Sequence, residues 1–213
     1  NDLTRALFWW RVMKSAKCFP DHHTFEMLSY VLADDGKVEE SFRLLNLIQS
    51  RNKDSYHAVI AGACRKSRRA FALKVFETML ERDIVPSVES FNSLISMQDD
   101  IDVAWEIFDL MKPFARCRYD RDDRHLQTNQ NVENDSAKIR SLFRSYKNRL
   151  EVVPTTVTFN ALINVMSRSS KSAQRSDKLD GDAIKNFFEM MNEHGVKPDG
   201  RSYNTFIAHF SRN

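Results

Sequence analysis

The chain repeats itself at an interval near 35 residues, and a period of that size commits it to a stack of small units before any single residue is weighed. Phe25, Tyr56, Phe91, Phe159 and Tyr203 are each followed by a polar residue and soon after by an apolar pair. Their separations are 31, 35, 68 and 44; the third is nearly two units and the last is one unit plus nine. A second set of marks closes each unit. Ala6, Trp10, Met13 and Pro20 have the same 4, 3, 7 spacing as Ala72, Phe76, Met79 and Pro86, Phe188, Met191 and Pro198 keep its last three marks, and Ala104, Phe108 and Met111 its first two intervals. An alanine with bulky residues four and seven positions on lies on one helix face, the small side chain allowing close approach and the large ones filling a groove. A proline placed after the last periodic residue stops the helix. Each unit therefore reads as helix, turn, helix, turn.

Composition agrees with an all-α chain. Gly 5 and Pro 5 among 213 residues are too few to punctuate an all-β sandwich, which needs a turn about every ten residues. A hydrophobic content of 42% beside 29% charged residues can build a core. The longest run of apolar or glycine residues, 58–64, is far short of a membrane span. The formal charge of +3 does not by itself announce a polyanion partner, so that case rests on where the charges cluster. Three cysteines far apart, without C-x-x-C, point to a reducing compartment and away from structural zinc. No signal-peptide pattern opens the chain and residue 1 is Asn, which leaves either a removed leader or a piece of a longer protein.

The strings Val157-Thr158-Phe159-Asn160-Ala161-Leu162-Ile163, Ser90-Phe91-Asn92-Ser93-Leu94-Ile95 and Ser202-Tyr203-Asn204-Thr205-Phe206-Ile207, with Gly195-Val196-Lys197-Pro198-Asp199 closing a unit, resemble the pentatricopeptide repeat family. The resemblance covers most of the chain except about 113–135. It implies an α-solenoid of stacked helix-turn-helix repeats: a half repeat at 1–21, repeats at 22–52, 53–87 and 88–112, a polar insertion at 113–135, a degenerate unit at 136–155, an extended repeat at 156–199 and a half repeat at 200–213. Both ends of such an array are open, which leaves Trp9, Trp10, Phe206 and Phe210 without a covering helix.

In that family one side chain near the start of each repeat, together with the repeat's last residue, meets the edge of an unstacked RNA base. Carried over, the reading pairs are Glu26 with Asn52, His57 with Ser87 and Asn160 with Asp199, while Asn92 and Asn204 have no assigned closing partner. The family associates the Asn160 and Asp199 combination with uridine. An amide suits the task because it both donates and accepts, although an asparagine here also serves to cap or bridge helix starts. Arg65, Lys66, Arg68 and Arg69 crowd one turn, with no acid beside them in the sequence, and Arg140, Arg144 and Lys147 line one helix face. Both groups suit phosphate, and the second reads equally as a solvated helix face.

An enzyme reading finds little to stand on. Asp99, Asp100 and Asp102 sit where a helix begins and favour the positive end of its dipole over metal binding. His22 and His23 fall at a repeat boundary, and Trp9, Trp10 and Trp105 fall within helical core patterns. The zinc-deaminase strings H-x-E and P-C-x-x-C do not occur. We expect no metal or cofactor and a non-catalytic RNA-binding protein, single-stranded or ribosomal RNA being its partner. The resemblance implies an organelle, the mitochondrion or the plastid, and a ribonucleoprotein such as the mitochondrial ribosome in which other proteins cover the open repeat ends. A free sequence-selective RNA processing, stability or editing factor and a protein-only scaffold are the alternatives.

Overall fold

The computed structural model describes residues 2–111, 152–172 and 181–210, and over them the chain is all-α. The ten helices among the described residues are α1 (Asp2–Ser15), α2 (His22–Asp34), α3 (Val38–Leu47), α4 (Lys53–Arg65), α5 (Arg69–Glu81), α6 (Val88–Ser96), α7 (Ile101–Phe108), α8 (Thr156–Ser172), α9 (Gly181–Glu193) and α10 (Gly200–Phe210). The chain divides into two compact units, Asn1–Leu94 and Ile95–Asn213, the division falling within α6. In the first, α2 packs on α3 and α4 on α5 as hairpins, and α2 lies beside α4. In the second, α8 packs on α7 and on α10.

Each hairpin buries the face that its spacing marks. Ala72, Phe76 and Met79 of α5 are all within 1% of full burial, and Tyr56, Val59, Ile60 and Ala63 of α4 are fully buried. Small residues set how close the helices come. A Cβ on Gly62 would lie 2.6 Å from the Ala33 carbonyl oxygen and 2.9 Å from Val38 Cγ1, so α4 reaches the end of α2 only because residue 62 has no side chain. The Ser29 and Ser41 hydroxyls, both fully buried, bond each other at 2.8 Å between α2 and α3.

The periodic aromatic residues are the joints between units. Trp10 meets Phe25 at 5.5 Å between ring centroids, Phe76 meets Phe91 at 5.1 Å, Phe108 meets Phe159 at 5.4 Å and Phe188 stacks on Tyr203 at 5.0 Å. In every case a closing helix presents its bulky mark to the aromatic near the start of an opening helix. Such pairs contribute about 0.5–1.5 kcal/mol beyond their buried area.

Six helices end the same way. Lys17, Gly36, Gln49, Ser67, Asp83 and Gly195 follow α1, α2, α3, α4, α5 and α9 with φ between +48° and +87°. The next residue's N–H returns to a carbonyl five residues back: Cys18 to Met13, Lys37 to Leu32, Ser50 to Leu45, Arg68 to Ala63, Ile84 to Met79 and Val196 to Met191, at 2.8–3.1 Å. These bonds satisfy carbonyls that the helix end would otherwise leave bare and turn the chain into its partner helix.

Of the two expectations for Trp9, a core position and an uncovered end, the structure meets the second: it is 67% exposed on α1 beside Phe8, since no described helix packs on that face. Trp10 and Trp105 are half-buried, against Phe25 and against Phe108 and Phe187 respectively. Phe206, expected to lack cover, is buried against Phe187 and Phe188. The side chain of Phe210 and the expected insertion at 113–135 lie outside the described residues, as does the unit at 136–155 apart from 152–155.

Candidate nucleic-acid interface

Glu26, His57, Asn92, Asn160 and Asn204 each occupy the fifth position of the helix that opens a unit, α2, α4, α6, α8 and α10. The turn geometry above returns the chain to the start of the next opening helix, and this brings the last residue of a unit to the same place. Two of the three expected pairs meet directly. Asn160 Nδ2 donates to Asp199 Oδ1 at 3.1 Å, and Asn52 Nδ2 donates to Glu26 Oε2 at 3.0 Å. His57 and Ser87 are joined through Ser90, whose Oγ lies 3.3 Å from His57 Nδ1 and 3.3 Å from Ser87 Oγ.

The serine links are the feature that spacing does not disclose. Ser202 Oγ donates to Asn160 Oδ1 at 2.7 Å and its backbone N–H donates to Asp199 Oδ1 at 2.9 Å, so the Asn160 amide is held at both ends. Ser50 Oγ donates to Glu26 Oε1 at 2.7 Å. A signal was available: the third residue of all five opening helices is Ser or Thr, namely Thr24, Ser55, Ser90, Thr158 and Ser202. These hydroxyls lie at helix starts, where free N–H groups need acceptors, and Ser202 and Ser90 reach the reading residue as well.

The electrostatics keep both carboxylates ionised. Burial pushes the Glu26 carboxyl up, but hydrogen bonds from Asn52 and Ser50 outweigh it and hold the group below the usual glutamate range. The Ser202 backbone N–H, followed by the Asn160 amide, holds Asp199 below the usual aspartate range. Burial lowers the His57 imidazole against the opposing pull of Glu89 and Asp54. Asn160 is 8% exposed, whereas Asn204 stands in solvent. Asn92 Oδ1 is buried and meets no hydrogen-bond donor among the described residues.

The basic turn is less free than its sequence implies. Arg65 pairs with Asp34 at 3.2 Å and Arg68 with Glu39 at 2.6 Å, because the preceding unit stacks its acids alongside. Arg65 also donates to the Ala33 carbonyl at the end of α2 at 3.3 Å. Arg168, like Arg65 the thirteenth residue of its helix, does the same at the end of α6, donating to the carbonyls of Ser96 at 2.6 Å and Gln98 at 2.9 Å. Lys66 runs over Gly36 and Arg69 is half-buried. The second basic group, Arg140, Arg144 and Lys147, lies outside the described residues. Among the acids considered for metal binding, Asp100 caps α7, accepting from the Asp102 N–H at 2.9 Å.

Residues 52–101 match the family model of the pentatricopeptide repeat domain. A pentatricopeptide repeat-containing protein of Arabidopsis thaliana is 31% identical over 90 residues, an alignment that takes in 38% of this chain and 14% of the relative. The crystal structure of the pentatricopeptide repeat protein PPR10 from maize superposes on 98% of this chain at a TM-score of 0.43 with 19% identity, and the match takes in 34% of the maize chain. The chain thus spans a minor part of the length of the proteins it matches. Residues 52–101, from α4 through α6, thus match a pentatricopeptide repeat domain, and the aromatic joints and side-chain pairs of that segment recur in the second unit.

Proposed function

We propose that the chain is a non-catalytic RNA-binding repeat protein in which paired side chains at the starts of opening helices meet the edges of unstacked bases. The observation that carries this reading is the Asn160–Asp199 pair, an amide fixed at both ends beside an ionised carboxylate. A fixed amide can tell a donor from an acceptor on a base edge, which a freely rotating one cannot. This pair takes uridine. Lys66, with Arg65, Arg68 and Arg69 where the contacts they make within the protein yield, contacts phosphate; exposed ion pairs such as Arg65–Asp34 and Arg68–Glu39 contribute only about 0–1 kcal/mol and are readily exchanged.

The protein works in an organelle, the mitochondrion foremost, within a ribonucleoprotein such as the mitochondrial ribosome. Only one of the five reading positions carries a pair with an assigned base, too little to select one transcript, since each good contact discriminates by about 1–3 kcal/mol. The exposed Phe8 and Trp9 of α1 offer another chain an aromatic face. Binding of the full chain to homopolymer RNAs over a salt series tests the reading. Oligouridine is expected to bind best, with a preference of about fivefold or more that survives at high salt and is lost in Asn160→Ala. Absence of RNA binding at low salt would overturn it.

A further inference from the structure

We propose that Glu26 and Asn52 form a guanine-reading position, the Asn160–Asp199 arrangement with the amide and the carboxylate exchanged. The proposal rests on the base-reading function above and adds a ligand that the family pairs do not assign here. In one case the helix supplies the amide and the closing residue the carboxylate; in the other the helix supplies the carboxylate and the closing residue the amide. Exchange of the two groups changes what is left over for a base.

The inventory can be counted atom by atom. A carboxylate offers about four acceptor sites, two on each oxygen. One on Oε1 is taken by the Ser50 hydroxyl at 2.7 Å and one on Oε2 by Asn52 Nδ2 at 3.0 Å, so one remains on each oxygen. The Asn52 amide oxygen accepts from the Asp54 N–H at 3.0 Å as the cap of α4, which fixes the amide's orientation. Its nitrogen gives one hydrogen to Glu26 and keeps the other. The position therefore presents two adjacent acceptors and one donor. Guanine has the complement on its Watson–Crick edge, two adjacent N–H donors at N1 and N2 and an acceptor at O6. Uracil has one donor between two acceptors, cytosine one amino donor with two acceptors, and adenine one amino donor with one acceptor, so none of these satisfies both carboxylate oxygens.

Two further observations fit this assignment. Because Glu26 stays ionised, its hydrogen bonds to a base are charge-assisted and shorter than neutral ones. Tyr30, four residues on along the same helix face and 54% exposed, supplies a ring on which a base can stack.

The test walks one guanosine through each position of a uridine-rich single-stranded RNA and measures the dissociation constant of the full chain. One register is expected to bind about tenfold more tightly with guanosine than with adenosine. At that register inosine, which lacks the N2 amino group, is expected to forfeit most of the gain, a comparison that needs no altered protein. Glu26→Gln, nearly the same shape, is expected to abolish the guanosine gain while leaving the uridine preference that depends on Asn160. A guanosine gain in no register, an inosine equal to guanosine, or a gain retained in Glu26→Gln would each overturn the proposal. Loss of the guanosine effect with the Asn160-dependent uridine preference intact removes this inference alone, and loss of both removes the base-reading function with it.

Discussion

Ser90 and Ser202, each the third residue of an opening helix, use one hydroxyl both at the helix start and toward the fifth residue of an opening helix, His57 and Asn160 respectively. The pairs themselves were legible, because a period near 35 places the last residue of one unit beside the fifth helical residue of the same unit. The serines were not, since a hydroxyl's second partner depends on turn geometry that spacing does not encode. Asp34 and Glu39 were missed beside Arg65 and Arg68 for a related reason: they lie 31 and 29 residues upstream and become neighbours only once the units stack. His57 shows how a reading residue is tied to stability. Its imidazole is held below its usual value, so the unfolded chain binds the proton more readily than the folded one. The neutral form therefore favours folding above about pH 6.5, and that contribution falls away as the pH drops toward and through the lowered value. Urea midpoints at about pH 7.5 and 5.5 are expected to fall more between the two for the wild-type protein than for His57→Gln. Equal falls would place His57 outside this linkage.

The helices were readable as types and, at their ends, only in part. Bulky marks at four and seven predicted the buried faces of α5 and α7, whereas four of the six left-handed residues that end helices are not glycine and carry no local sign of that conformation. Lys17, Gln49, Ser67 and Asp83 adopt it because the returning N–H bond outweighs the strain, about 1–2 kcal/mol for a residue with a Cβ. Three substitutions separate backbone strain from packing. Gly195→Ala meets no atom within 4 Å and pays only for its φ of +68°, a loss of about 1 kcal/mol. Asp83→Gly relieves the same strain, offset by the freer unfolded chain, and is expected to gain up to about 1 kcal/mol. Gly62→Ala forces the new carbon against a carbonyl of α2 and is expected to cost about 2–3 kcal/mol. Chemical denaturation of the three proteins checks the order; a Gly62→Ala loss no larger than that of Gly195→Ala would mean that α2 and α4 can part at no cost.

Within the second unit the stack passes from α7 to α8 although 40 residues, 112–151, come between Met111 and Val152. Phe108 meets Phe159 as Phe76 meets Phe91, and Arg168 holds the end of α6 as Arg65 holds the end of α2. Pro154 stands two residues before its opening helix, as Pro20, Pro86 and Pro198 do. Joining Met111 directly to Val152 leaves seven residues between α7 and α8, against six between α5 and α6. Shortening the connection this way is expected to preserve the helical circular dichroism of the remainder. It should raise stability by about 2 kcal/mol from the smaller closure entropy. A lost or broadened unfolding transition would show that the segment contributes to the core. The period of the sequence revealed the units on either side of this connection, but not that they touch. Since the cost of a longer closed segment grows only with the logarithm of its length, a shortened chain that folds as expected would make this junction a splice point. A designer could then graft a fluorescent or enzymatic passenger between residues 111 and 152 without retuning the hairpins on either side.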